Sequence, residues 1–198
     1  MVESGIFYGT VIDPILAPMR KRVSDEIRTG ETVIDIACGT GAQVFELCEI
    51  ASKIVGIDLS ESMINRAKST GKKRSISNID FFVCDATDLW MFEENSFDVA
   101  IMSLALHQFQ PDLHLPVLSE MKRVAKRIIM VDYAVPLPKN YAGIGSRIAE
   151  FLAGKEHNYN FKEYYRLGGL NRILPANNLT IQNSILFGKG AFQLVVCS

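Results

Sequence analysis

Apolar and polar positions along the chain keep two periods, and their order predicts short strands alternating with helices. Val33, Ile34 and Ile36 form a β-branched run, the pattern of a strand buried in a parallel sheet. Val44, Phe45, Leu47 and Cys48 then recur at helical spacing over 42–51. The unit repeats. Positions 54–57 read as a strand, and Met63, Ile64 and Ala67 as the inner face of a helix capped by Ser60. Positions 80–83 make a third short apolar strand.

Upstream, Ile15, Met19, Val23 and Ile27 align on one helix face within 1–31, and Gly30 marks its end. Pro14 and Pro18 leave the start of that helix open. Downstream, Ile144, Ile148, Phe151 and Leu152 form an amphipathic stripe ending at Gly154. Apolar runs over 179–187 and 191–196 flank Gly188-Lys189-Gly190, a hairpin signal. The sum is an α/β chain.

The junction between the first strand and helix carries the chemistry. It reads Asp35-Ile-Ala-Cys-Gly39-Thr40-Gly41, and glycines there let a ligand approach the backbone. Two ligand classes use such a cradle, dinucleotides and S-adenosylmethionine. Val44 stands where a dinucleotide fingerprint has its third glycine, so that match is incomplete. Asp35 near the strand end suits a cationic amine and sulfonium better than a pyrophosphate. An ordinary strand-to-helix turn is the bland alternative. Asp58 ends the second strand, 17 positions after Gly41, where a carboxylate accepts from two ribose hydroxyls. Asp85 ends the third, where it would accept from an adenine amino group while the Ala86 N–H donates to a ring nitrogen. Three strands thus aim three carboxylates at one crevice.

Composition narrows the classes. The 198 residues fit one domain over 1–198. With 21 basic and 22 acidic side chains the net charge is −1, no electrostatic footprint for nucleic acid. No window approaches the roughly 18 apolar residues of a membrane span, and the N-terminus lacks the order of a signal peptide. Cysteines at 38, 48, 84 and 197 are too scattered for a metal site and read as reduced thiols, so no metal is expected and the location is cytoplasmic. Arg20-Lys21-Arg22 reads as a solvated helix face.

These motifs resemble those of the class I S-adenosylmethionine-dependent methyltransferases. The resemblance rests on 33–41, on Ile57-Asp58-Leu59-Ser60-Glu61-Ser62-Met63-Ile64 and on Cys84-Asp85-Ala86. The run 95–103 resembles that family's fourth strand and 118–124 the helix before its fifth. Within the class the chain is most similar to the ubiquinone/menaquinone-biosynthesis C-methyltransferases. The resemblance implies a Rossmann-like, doubly wound sheet of about seven strands, mostly parallel with an antiparallel last strand. It implies that Asp35, Gly39, Thr40 and Gly41 hold the methionine end of the cofactor and Asp58 the ribose. Leu59 would cover the adenine, Asp85 and Ala86 would read its edge, and Ser103 would lie beside the methionine part. The family often has a Lys-Pro-Gly-Gly turn before the fifth strand. Here Val-Ala-Lys-Arg leads directly into Ile128.

The acceptor pocket is expected above strands four and five. His107, Gln108 and Phe109 follow the fourth, and Asp132 and Tyr133 end the fifth. His107 is the candidate general base, because imidazole titrates in the useful range, with helix-start or packing as its bland role. His114 and His157 read as surface or lid residues. Residues 137–175 are the expected lid and acceptor-side helices, where Tyr159, Phe161, Tyr164 and Tyr165 either roof an apolar acceptor or belong to the core. Tyr8 stands where an N-terminal segment folds over a ligand. The expected activity is methyl transfer by direct displacement to a small-molecule or lipid-like acceptor, leaving S-adenosylhomocysteine. The alternatives are a nicotinamide-dependent oxidoreductase and a non-catalytic binding module.

Overall fold

The computed structural model of the protein describes residues 13–198, so Tyr8 lies outside the described residues. The elements are α1 (Asp13–Asp25), β1 (Thr32–Ile36), α2 (Ala42–Leu47), β2 (Lys53–Asp58), α3 (Glu61–Lys73), β3 (Ile79–Val83), β4 (Phe97–Ser103), α4 (His114–Val124) and β5 (Ala125–Tyr133). There follow α5 (Tyr141–Leu152), α6 (Lys155–Arg166), α7 (Leu170–Ala176), β6 (Ile181–Phe187) and β7 (Phe192–Cys197). One sheet runs in the order β3-β2-β1-β4-β5-β7-β6. The strands β1 to β5 pair in parallel, and β7 runs antiparallel between β5 and β6. The hairpin turns through 188–190, as the glycines predict. Strand order reverses between β1 and β4, and the carboxyl ends on either side of that point form the crevice where such sheets take ligands.

Alternation along the central strands feeds two cores. Val33, Val99, Ile101, Ile129 and Val131 pack under α1 to α3 with Met19, Val23, Val44 and Ile64. Ile34, Ile36, Ala100, Met102, Ile128 and Met130 face the other layer, against Leu118 and Met121 of α4, Tyr164 of α6 and Ile173 of α7. Strands covered on both faces explain the unbroken apolar runs. Ser60 caps α3 as the sequence predicts, its hydroxyl accepting from the Met63 N–H at 3.4 Å. Helix α2 is shorter than its apolar spacing suggests, ending at Leu47, and Ile27 lies beyond the end of α1. At the missing glycine turn, α4 passes into β5 without a loop residue, because Ala125 is already extended. That strand therefore begins three residues before Ile128. No described helix is long and apolar enough to cross a membrane.

Candidate active site

The glycine junction is held by its own backbone and by one carboxylate. Cys38 N–H donates to the Ile57 carbonyl at 2.9 Å, and Gly41 N–H to that of Cys38 at 3.0 Å. Gly39 N–H donates to Asp58 Oδ2 at 2.8 Å, while Asp58 Oδ1 accepts from the Ser60 N–H at 2.9 Å. Asp58 thus ties the turn after β1 to the end of β2 and still has lone pairs to offer. Gly39 and Gly41 have φ of 54° and 80°, the left-handed region that glycine tolerates. They differ in surroundings. A Cβ on Gly41 would lie 2.8 Å from the Phe81 ring, whereas one on Gly39 would meet nothing within 4 Å. Gly39 therefore presents bare backbone to the open crevice.

Electrostatics there favour a cation. Asp35 is 2 % exposed, and burial, with the Asp58 carboxylate second, pushes its carboxyl up to about 8. A buried carboxyl that resists ionising beside a second acidic side chain makes a site that a positive ligand relieves. On the β4 side, Ser103 Oγ is buried and has no hydrogen-bond partner among the described residues. Leu59 stands 71 % exposed beyond Asp58. Asp85 is exposed, with Oδ1 accepting from the Thr87 N–H at 2.9 Å and hydroxyl at 2.8 Å, and Ala86 beside it is buried. The residues expected to hold a cofactor thus lie along the ends of β1, β2, β3 and β4. Open backbone, an orphan hydroxyl and paired acids suit a cationic ligand with polar groups.

A second cluster lies at the ends of β4 and β5. His107, in the short turn Leu106–Gln108 after β4, is 2 % exposed. Its Nδ1 lies 2.6 Å from Asp132 Oδ1, and its backbone N–H donates to Asp132 Oδ2 at 3.1 Å. Its Nε2 faces Glu150 of α5, 3.6 Å from Oε1. Glu150 in turn accepts from the Tyr133 hydroxyl at 2.8 Å and lies 2.9 Å from His157 Nε2. Burial alone would lower the pKa of His107, but the Asp132 and Glu150 carboxylates outweigh it and carry the ring upward. Burial raises Glu150, and His157, His107 and Tyr133 together bring it below its ordinary value. One ligand atom from each of His107, Glu150 and His157 lies within 4.8 Å of the others, close enough to share a metal ion. In the structure these groups answer one another.

One sequence expectation needs correcting, and the open alternatives for most of the aromatic residues resolve toward the core. His114 is not a surface or lid residue; it is 3 % exposed at the start of α4, where burial lowers its pKa. Phe161 and Tyr164 are core, and the Tyr164 hydroxyl donates to the Tyr133 carbonyl at 2.9 Å. Tyr159 is 60 % exposed, while Tyr165 packs half-buried against the core. Gln108 is exposed, and its carbonyl accepts from Asn160 Nδ2 at 2.7 Å, which ties α6 to the turn after β4. Glu150 was not singled out by the sequence. Its signal is a carboxylate opposite the apolar stripe of α5, a position that normally faces water.

Residues 33–127 match the family model described as "Methyltransferase domain". The demethylmenaquinone methyltransferase of Lactococcus lactis is 36% identical over 126 residues, covering 61% of this chain and 48% of the relative. The chain spans about half the length of the curated relatives it matches. An S-adenosylmethionine-dependent methyltransferase from Aquifex aeolicus has the same fold, with a TM-score of 0.67 at 21% identity over 90% of this chain and 88% of that one. Geranyl diphosphate C-methyltransferase from Streptomyces coelicolor gives 0.67 at 14% identity over 92% and 78%.

Proposed function

We propose that the chain, whose residues 33–127 match a methyltransferase domain, is a class I S-adenosylmethionine-dependent methyltransferase that transfers a methyl group to a small, lipid-like acceptor in the cytoplasm. The observation that carries this reading is the crevice itself. Bare Gly39 backbone, the Asp35 and Asp58 carboxylates and the unpartnered Ser103 hydroxyl meet the needs of an aminium, a sulfonium and a ribose. Bound S-adenosylmethionine supplies an activated methyl carbon and leaves as S-adenosylhomocysteine; the rest falls to this chain. Gly39, Thr40 and Gly41, with Asp35, would hold the methionine end, and Ser103 would meet it from β4. Asp58 would accept from the ribose hydroxyls, Leu59 would cover the adenine, and Asp85 with the Ala86 N–H would read its edge. Alignment of this kind supplies roughly 7–11 kcal/mol of the barrier in favourable cases.

Acceptor chemistry falls to His107. Asp132 fixes its Nδ1, so Nε2 is the nitrogen that takes the acceptor's proton. The ring so charged lies between Asp132 and Glu150, which stabilise it. Tyr133, Phe161 and Tyr164 pack around it in the core, with ring centroids 4.9, 6.1 and 6.2 Å away. The demethylmenaquinone methyltransferase relatives support a lipid-like acceptor. The four free cysteines suit a reducing compartment.

Calorimetric titration with S-adenosylhomocysteine tests the cofactor. We expect micromolar binding to the wild type and its collapse in Asp58→Ala, with both proteins folded by circular dichroism. A folded wild type that binds nothing would sink the proposal. The base is tested separately, on a demethylated quinone. His107→Ala should lower turnover by about 10²–10⁴-fold with cofactor affinity kept, and wild-type turnover should rise with pH through a value above 6.5. Unchanged turnover in the variant removes His107 from the chemistry.

A further inference from the structure

Helix α5 carries its hydrophobic side outward. At about 100° per residue, Tyr141, Ile144, Ile148, Phe151 and Leu152 fall within one arc of about 100°. They are 67%, 54%, 54%, 68% and 74% exposed. The opposite face, with Gly143, Ser146 and Glu150, is the one buried against the protein. Of the described side chains in α5, only Ala142 joins either hydrophobic core. A surface helix normally has the reverse arrangement, and a contiguous apolar patch of this kind marks an interaction surface.

The rim identifies the partner. Lys139 precedes the helix, Lys155 follows it, Arg147 flanks the patch, and Lys189 Nζ lies 4.5 Å from the Tyr141 ring centroid. These four exposed cations have no ion-pair partner among the described residues, and Glu156 is the exposed carboxylate beside them. A second copy joined through the same face would bring two basic rims together. An anionic bilayer instead offers acyl chains to the five apolar side chains and negative headgroups to the rim.

We propose that the outer face of α5 docks the protein on an anionic lipid surface. The docking does not depend on the methyltransferase reading; its use does. Glu150, on the inner face of the same helix, reaches His107, so a docked α5 holds that cluster one helix below the headgroups. A lipid-like acceptor would then reach His107 without crossing bulk water.

Co-sedimentation of the full chain with vesicles is the test. Wild type should pellet with phosphatidylglycerol/phosphatidylcholine vesicles, much less with phosphatidylcholine alone, and less as salt rises. Ile148→Asp combined with Phe151→Asp should weaken this by about tenfold or more, with S-adenosylhomocysteine affinity unchanged as proof of an intact fold. A second measurement uses Phe151→Trp in a Trp90→Phe background, whose emission should shift to the blue on the anionic vesicles. Absent pelleting, equal pelleting by the aspartate variant, or an unshifted Trp emission would overturn the proposal. So would a wild-type dimer in light scattering that the aspartate variant converts to monomer, which assigns the face to a second copy. Failure of the cofactor reading would show separately, as no S-adenosylhomocysteine binding by either protein.

Discussion

Asp35→Asn is expected to stabilise the protein at alkaline pH and to weaken its hold on S-adenosylhomocysteine. Both effects come from one buried carboxyl. Burial and the neighbouring Asp58 push its folded pKa up to about 8, from 3.8 in the absence of structure. Below the lower value the group is protonated in both states and makes no difference. Between the two, the unfolded chain ionises while the folded one keeps its proton, so wild-type stability falls as pH rises. Above about 8 both forms are ionised and the full cost remains. The variant has no such term. Its advantage in urea unfolding should therefore be near zero at the acid end, grow through neutrality and level off above about 8, reaching about 2–5 kcal/mol. A gap of the same size at every pH would show that Asp35 titrates normally.

The ligand reverses the sign. A cationic amine beside Asp35 favours the ionised form, so binding near neutrality should expel a proton from wild type and none from Asp35→Asn. Calorimetry in buffers of different ionisation enthalpy reads that proton directly. The affinity itself should fall about tenfold or more in the variant, the loss of a charge-assisted contact. Equal heats in all buffers would mean that the carboxyl and the ligand do not meet.

Much of this crevice could be read from the chain because its parts are local. A strand, two glycines and a helix sit within 32–47, and each further carboxylate ends its own short apolar run. Once β1, β2 and β3 pair in parallel register, Asp35, Asp58 and Asp85 are carried to the same edge of the sheet. The His107 cluster is different. Its members come from the turn after β4, the end of β5, and helices α5 and α6, and no spacing links them. Asp132 and His107 are 25 positions apart and meet because β4 and β5 are neighbours. Helix α5 shows another limit. Periodicity places Ile144, Ile148, Phe151 and Leu152 on one face, but nothing local says whether that face turns in or out. His114 illustrates the same point, since only the packing of α4 on the sheet decides that it is core.

Asp132→Ala is expected to be among the most destabilising single changes in this site, at about 3–5 kcal/mol. The carboxylate is fully buried and accepts from three donors: the His107 backbone, the His107 ring and the Tyr133 N–H at 2.7 Å. Alanine leaves all three without a partner in a site that water does not reach, and one of them sits on a ring that Asp132 helps to charge. Asp132→Asn separates the charge from the shape. It keeps an acceptor oxygen but no longer favours the imidazolium, so His107 should titrate lower than in wild type. The sign of the pH dependence follows. A histidine whose folded pKa is raised contributes stability that is fully present below about 6.5 and is lost as pH rises through the folded value. Asp132→Asn should therefore cost most stability in acid and less above that value, opposite in trend to Asp35→Asn, whose effect grows with pH. The imidazole proton resonances of His107 provide the check: in wild type they should titrate above 6.5, and in Asp132→Asn lower. A wild-type ring titrating at its ordinary value would mean that Asp132 positions His107 without charging it, and turnover would then rise through about 6.5 and not above it.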